Sequence, residues 1–208
     1  AATLIETSAI DSSTNDSTPD YTFVSSEAGT ITYSGSCSSS TTSAIAGTNT
    51  ITLNSLSDGT YSDCKITVTD SLENAVTLNI GSFVIDTTAP AVSSINPTNN
   101  QTGVSKSSYI SVTFSKAMDT TSVTTNTSNT SCSGTLRVSS DNFSNCVQMS
   151  SSPSSSNSDK TFTLDPSDNL TGGTTYLTRV TTGVTDSAGN ALSSQYDNST
   201  GFTTASSG

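Results

Sequence analysis

Apolar and polar residues alternate along most of the chain in short runs. In 109–116 (YISVTFSK), Ile110, Val112 and Phe114 alternate with small polar residues. A period of two is the pattern of a half-buried β-strand. The same alternation predicts strands at 2–10, 21–26, 29–35, 48–56, 64–70, 75–86, 109–116, 135–138, 146–149, 161–164, 174–186 and 201–205. No run shows convincing helical periodicity, so the predicted class is all-β.

Two stretches interrupt this pattern. Within 75–86 the apolar face changes phase after Ile80 and resumes at Phe83. One extra residue restores the inward face, so we predict a β-bulge at Gly81–Ser82. The second stretch, 150–159 (SSSPSSSNSD), is low in complexity and is predicted to be an exposed loop.

An eight-residue segment occurs twice with small changes, as VTDSLENA at 68–75 and VTDSAGNA at 184–191. Asp and Asn hydrogen-bond to their own backbone and tolerate left-handed conformations. Gly189 supplies the positive φ of a tight hairpin, whereas Glu73 stands at that position in the first copy. The repeat is interpreted as a β-hairpin between the last two strands of each of two domains.

A second repeat supports two domains. Segments 56–61 (LSDGTY) and 170–176 (LTGGTTY) each end in Gly followed by Tyr at the start of a strand. Between the copies, Pro90 in DTTAPAV cannot donate a ladder hydrogen bond and restricts the residue before it. We therefore expect domains at residues 1–90 and 91–208.

The composition limits the partners of the protein. Of 208 residues, 85 are Ser or Thr, and only 30% are hydrophobic. The net charge is −11 with six Lys and Arg, which disfavours nucleic acid and anionic membrane surfaces, because both require a basic footprint. No segment approaches the roughly 18 apolar residues of a membrane span.

The motifs resemble known families. The N-terminal half is similar to bacterial immunoglobulin-like repeats of large surface proteins, through TPDYTFVSSEAGTITYSGSC, LSDGTYSDCKITVTD and FVIDTTAP. The C-terminal half is similar to the SbsA-type Ig-like domain of S-layer and adhesin proteins, through INPTNNQTGV, ISVTFSKAMD, L-x-x-G-x-x-Y, VTDSAGNAL and GFTTA. The resemblance implies two tandem immunoglobulin-like β-sandwich domains in an extracellular protein without catalytic residues. The Gly-to-Tyr segments look like the tyrosine corner of such sandwiches; the alternative is a Tyr that only packs.

The four cysteines predict two disulfide bonds. Their number is even, the chain has no His and no C-x-x-C spacing, so a zinc site is disfavoured and an oxidising compartment is expected. Cys37 follows one predicted strand and Cys64 opens another, while Cys132 and Cys146 bracket a short excursion in the second domain. We expect the pairs Cys37–Cys64 and Cys132–Cys146; free thiols or cross-domain pairing are the alternatives.

Catalysis has little support in the sequence. Without His, no Ser-His-Asp or Cys-His arrangement can form. Carboxylate pairs such as Asp165 with Asp168 are the only acid–base candidates, and a solvated turn around Pro166 is the favoured interpretation. Asp70 or Asp186 in the repeated turns offers an alternative cation site, although no EF-hand-like loop exists. We expect a non-catalytic protein with no cofactor-binding or metal-binding residues.

The expected function is that of a secreted, cell-surface structural protein, the subunit of an extracellular filament or adhesin stalk whose partner is a second copy of itself. The segment 2–10 is strand-like, with Leu4, Ile5 and Ile10 available for burial, and the polar loop 11–20 follows it. This segment could complete a neighbouring copy by strand donation or form the first strand of its own domain. The alternative function is a glycan-binding or host-protein-binding adhesion module of a larger secreted protein.

Overall fold

The computed structural model describes residues 2–206, which form strands and turns and no helix. The chain divides into two compact units, one ending at Thr88 and one beginning at Ala89, two residues before the predicted boundary. Each unit has its own buried apolar cluster. The predicted all-β class is confirmed. Residues 2–206 include no apolar helix of membrane-spanning length.

The first unit contains ten strands: β1 (Leu4–Ser8), β2 (Ser13–Thr14), β3 (Asp20–Ser25), β4 (Gly29–Ser34), β5 (Ser43–Ala44), β6 (Gly47–Thr52), β7 (Gly59–Tyr61), β8 (Lys65–Thr69), β9 (Ala75–Asn79) and β10 (Phe83–Ile85). One sheet has the order β1-β3-β6. The opposite layer has the orders β5-β4-β8-β9 and β2-β10-β7. Side chains from both layers form one core, because alternate residues of each strand point inwards.

The predicted bulge at Gly81–Ser82 is wrong. Tyr61 lies opposite Phe83, and Lys65 lies opposite Asn79. Both strands therefore advance by four residues across the interruption, whereas a bulge would add a residue to one strand only. On each side of the interruption the pairing keeps the same register, so the β7–β10 pair is a continuation of the β8–β9 pair. The side that faces the core changes at the same place in both paired segments.

The second unit contains eight strands: β11 (Val92–Asn96), β12 (Ile110–Phe114), β13 (Leu136–Ser139), β14 (Ser154–Ser156), β15 (Thr161–Leu164), β16 (Thr175–Val180), β17 (Tyr196–Asp197) and β18 (Phe202–Thr203). One sheet has the order β11-β12-β15-β14, and in the other β16 pairs with β13, β17 and β18. These orders correspond to the ABED and CFG sheets of a constant-type immunoglobulin sandwich. The predicted immunoglobulin-like sandwich is confirmed.

Two predictions in the second unit are corrected. The segment 146–149 forms no regular strand; only Met149 makes a single bridge, to Pro166. Conversely, the predicted loop 150–159 contains β14, whose three serines are exposed and pair with β15. A turn with positive φ at residues 157–159 reverses the chain between the two strands. Backbone pairing with an existing strand, rather than burial of side chains, makes β14 a strand.

Candidate functional site

The first copy of the repeated turn joins β8 to β9 as a hairpin, as predicted. One carboxylate oxygen of Asp70, Oδ1, accepts the backbone N–H groups of Leu72 (2.8 Å) and Asn74 (2.9 Å). The side-chain amide of Asn74 donates to the other oxygen, Oδ2, at 2.9 Å. Glu73 has φ +64°, which is the left-handed conformation that Gly adopts without steric cost. The Asp side chain and the Asn side chain together hold the turn.

The second copy repeats this geometry. Asp186 Oδ1 accepts the backbone N–H groups of Ala188 and Asn190, both at 2.9 Å, and Oδ2 accepts the Asn190 side-chain amide at 3.0 Å. Gly189 has φ +93°. The flanking hairpin is reduced to one antiparallel bridge between Thr185 and Ala191.

The two copies differ in their surroundings. Asp186 is 2% exposed, and its carboxylate lies 3.0 Å from the Lys116 ammonium. Burial acts to raise the pKa of the Asp186 carboxyl, but hydrogen bonds from Asn190, Lys116 and Ala188 outweigh it and hold the pKa below its usual range. Hydrogen bonds from Asn74 and Leu72 also lower the pKa of Asp70. Both carboxylates are therefore ionised near neutral pH.

A third turn of this kind was missed from the sequence. In the second unit, Asp141 Oδ1 accepts the backbone N–H of Asn145 at 2.9 Å, and Asp141 Oδ2 accepts its side-chain amide at 2.8 Å. Positive φ occurs here at Asn142 and Phe143 instead of at the fourth position. The shared spacing is D-x-x-x-N, which also occurs at Asp11–Asn15 and Asp165–Asn169, so the spacing alone does not identify the turn. In all three turns the carboxylate oxygens face N–H donors, an arrangement that holds the turn rather than a cation.

The four cysteines form two disulfide bonds, each inside one unit. Cys37 and Cys64 are bonded across a sequence separation of 27, and Cys132 and Cys146 across a separation of 14. The first bond joins the segment after β4 to the residue before β8. Each bond closes a loop within its own sandwich, so it restricts the unfolded chain of that unit.

Both tyrosines of the Gly-to-Tyr segments bond back to the backbone, but in opposite senses. Tyr61 Oη donates to the carbonyl of Ser57 at 2.7 Å. Tyr176 Oη accepts the backbone N–H of Thr171 at 2.9 Å. The tyrosine-corner interpretation is confirmed in both units, and each corner fixes the loop that precedes its strand.

The candidate acid–base residues Asp165 and Asp168 lie at the surface of the second unit. Asp165 accepts the hydroxyl of Ser150 at 2.8 Å, which ties two loops together, and Asp168 is exposed. Both line a surface cleft of about 180 Å³ that also includes Tyr109 and Asn169. Within residues 2–206, no three Cys, Asp, Glu or His side chains gather where they could hold a metal ion.

The N-terminal strand lies on the edge of the first unit. Strand β1 pairs antiparallel with β3, with an irregularity between Glu6 and Ser8. Leu4 and Ile10 pack partly buried against the core, whereas Ile5 is 61% exposed. Of the three residues expected to be available for burial, Ile5 is therefore not buried within its own unit, because its position in the strand directs it to solvent. The buried Tyr21 donates its hydroxyl to Glu6 at 2.8 Å.

The architecture defines a protein of two immunoglobulin-like sandwiches, each with a disulfide bond and a tyrosine corner. Residues 86–204 match the family model of the bacterial Ig-like domain. The chain therefore belongs to the bacterial Ig-like domain family.

Solved structures of an S-layer protein are similar to part of the chain. The crystal structure of the S-layer protein rSbsC(31-844) is 22% identical, with a TM-score of 0.40, over 57% of this chain and 14% of that one. The N-terminal part of the bacterial S-layer protein SbsC is 22% identical, with a TM-score of 0.39, over 57% and 24%. The chain thus spans a small part of both proteins. No curated protein sequence matches it.

Proposed function

We propose that the protein is a non-catalytic structural module of the bacterial cell surface, a subunit of an extracellular filament or adhesin stalk. The observation that carries this proposal is the architecture of two separately cored Ig-like sandwiches, each cross-linked by its own disulfide. Disulfides persist in oxidising, extracytoplasmic compartments. Membership of the bacterial Ig-like domain family and the S-layer proteins among its structural neighbours are consistent with a surface location.

Assembly would use strand donation by β1. Four of the five residues of β1 are exposed, and Leu4 is its only residue packed against the core. The same backbone hydrogen bonds to β3 can form with β1 of a neighbouring copy, so little is lost by the exchange. A contact of this kind is heterologous, and repetition of it builds a head-to-tail fibre.

Deletion of residues 1–10 tests strand donation. The shortened chain should remain folded but lose the ability to polymerise, as seen by negative-stain microscopy. A peptide of residues 1–10 should bind the shortened chain, because it restores pairing with β3. Fibres formed by the shortened chain would exclude donation by this segment.

Two point variants provide the matched control. Leu4→Ser removes the residue of β1 that packs against the core, whereas Ile5→Ser changes an adjacent side chain that is 61% exposed. We expect Leu4→Ser to impair polymerisation and Ile5→Ser to leave it unchanged. Equal effects would mean that burial of β1 in a neighbour does not drive assembly.

One observation favours the second candidate, a glycan-binding module. Tyr109 is 59% exposed beside the cleft that contains Asp165, Asp168 and Asn169. An aromatic ring next to carboxylate and amide groups offers a stacking surface and hydrogen-bond partners for sugar hydroxyls. A glycan array with the intact chain tests this function. Binding that Tyr109→Ala abolishes would favour it over a purely structural role.

A further inference from the structure

The two units differ in how they cover the corresponding strands β6 and β15. Each of these strands pairs with the second core strand of its sheet, β3 in the first unit and β12 in the second. In the second unit, β14 pairs with the other side of β15. In the first unit, β6 is the last strand of its sheet. An uncovered strand edge presents N–H and C=O groups that can pair with another chain.

The hydrogen-bonding phase shows which groups of β6 face outwards. Leu53 N–H donates to the carbonyl of Pro19 at 3.0 Å, in register with the pairing of Asp20 and Thr52. Hydrogen-bonded and non-hydrogen-bonded pairs alternate in an antiparallel ladder. The backbone groups of Thr48 and Thr50 therefore point away from β3. The same holds at residue 52, whose carbonyl accepts the hydroxyl of Ser39 at 2.6 Å.

A short loop covers the C-terminal end of β6, where Asn54 N–H donates to the Ser38 carbonyl at 2.8 Å and the Ser39 hydroxyl donates to the Thr52 carbonyl. The stretch from Gly47 to Thr50 lacks the other features that usually protect an edge. The pairing of β6 with β3 runs without a bulge over six residues, and none of the six is Pro or charged. By contrast, β1 and β11 have irregular registers, and β14 has three residues and follows Pro153. Strand β9 is also an edge, but β1 of the same unit lies beside it.

We propose that β6 is a self-association edge that pairs antiparallel with β6 of a second copy. With Asn49 at the centre of the contact, Thr48 of one copy lies opposite Thr50 of the other, and four backbone hydrogen bonds form. The contact is isologous, because both copies contribute the same groups. Two three-stranded sheets then become one six-stranded sheet.

A second copy is the occupant that these observations favour. The outward side chain of Thr50 already pairs with Thr22, hydroxyl to hydroxyl at 2.9 Å, and a Thr–Thr pair across the new contact extends this row. No charge on β6 opposes its own copy, although the chain carries a net charge of −11. Asn49 is held by hydrogen bonds to Ile45 and Gly47, so the start of β6 is fixed.

The contact is independent of strand donation. The outward backbone groups of Thr48 and Thr50 pair with no other strand of the folded unit, so no strand has to be released, whereas β1 must leave β3. The β6 contact joins two copies and closes, while strand donation continues along a fibre. Failure of one mechanism therefore leaves the other intact.

Thr50→Pro and Thr77→Pro form a matched pair of test variants. Proline is tolerated on an edge strand where the lost N–H faces outwards. Thr77 lies on the β9 edge, its N–H also faces outwards because Asp70 N–H bonds to Asn74 O, and its hydroxyl pairs with Thr67 at 2.8 Å. Both variants thus remove one outward N–H and one Thr–Thr pair. Circular dichroism and thermal unfolding check that each remains folded.

Sedimentation velocity over a range of concentrations measures the association of the intact chain. We expect a monomer–dimer equilibrium that Thr50→Pro weakens at least tenfold and Thr77→Pro leaves unchanged. Amide exchange at Thr48 and Thr50 should slow as the protein concentration rises. A chain that stays monomeric at its highest soluble concentration would overturn the proposal, as would equal weakening by both variants or protection confined to other strands. Repeating the measurement after deletion of residues 1–10 separates this contact from strand donation.

Discussion

The two copies of the repeated turn have nearly the same sequence and the same internal hydrogen bonds but different environments. In the first unit, Leu72 is 80% exposed and the turn extends into solvent. In the second unit the corresponding Ala188 is 7% exposed, and the Asp186 carboxylate faces Lys116. The local sequence is sufficient to form the turn, whereas the burial of the turn in the fold determines how much stability it contributes. A hydrogen-bonded carboxylate removed from water is more costly to delete than one that water can replace.

Loss of its disulfide should have the largest effect on the stability of each unit. Loss of Cys37–Cys64, with a separation of 27, should lower the free energy of unfolding of its unit by about 3.6 kcal/mol in the chain-entropy relation. Loss of Cys132–Cys146, with a separation of 14, should cost about 3 kcal/mol. Urea unfolding of two variants, each with both cysteines of one bond changed to Ala, tests which loss is larger. Non-reducing peptide mapping must first recover the two bonds, and a Cys64–Cys132 peptide would contradict this pairing.

Removal of the turn carboxylates compares the two environments directly. Asp186→Ala should destabilise the second unit by about 2 to 3 kcal/mol, because Lys116 loses a buried ionic partner and buried N–H groups lose their acceptor. Asp70→Ala should destabilise the first unit less, since water can reach those donors. Residue-resolved urea denaturation by NMR reports each unit separately. Equal losses would show that burial does not distinguish the two turns.

Lowering the pH should reduce the contribution of the Asp186 carboxylate to the stability of the second unit. The pKa of Asp186 is lowered in the folded state, so its contribution is present above its unfolded pKa of about 3.9 and is lost as the pH falls through the lower folded value. The expected loss is smaller than on deletion, because a protonated carboxyl still accepts hydrogen bonds. The stability of the second unit between pH 5 and pH 2 should therefore depend less on pH in Asp186→Asn than in the wild type. If stability changed with pH equally in Asp186→Asn and in the wild type, the Asp186 carboxylate would not contribute to the acid sensitivity of the unit.

The fourth position of the turn should give the smallest effect. Glu73 has φ +64° at the place where the second copy has Gly189. A left-handed conformation costs a residue with a side chain about 1 kcal/mol, so Glu73→Gly should stabilise the first unit by up to about that amount. Gly189→Ala should have the opposite sign in the second unit. Thermal unfolding measures both, and a destabilised Glu73→Gly would mean that the Glu side chain contributes more than the strain.

The sequence by itself determined the class of fold and the turns. Alternation with a period of two sets the buried face of a strand such as 110–114, because successive side chains point to opposite faces. In the repeated turns, Asp and Asn lie close enough in the chain to hydrogen-bond locally, so their geometry needs no distant partner. The third D-x-x-x-N turn has the same spacing, but so do Asp11–Asn15 and Asp165–Asn169, which do not form this turn, so the spacing alone does not predict it.

Only the tertiary structure decided which backbone segments pair and which groups remain free. Strand β14 has no apolar residue, and it is a strand because β15 offers unpaired backbone groups beside it. The phase change near Gly81 reflects a matched change in two strands, which one strand's pattern cannot show. Likewise, the amino-acid sequence of β6 does not show whether it is an edge strand or a central strand. Backbone hydrogen bonds between strands distant in sequence do not depend on side-chain identity, so their partners follow from the fold as a whole.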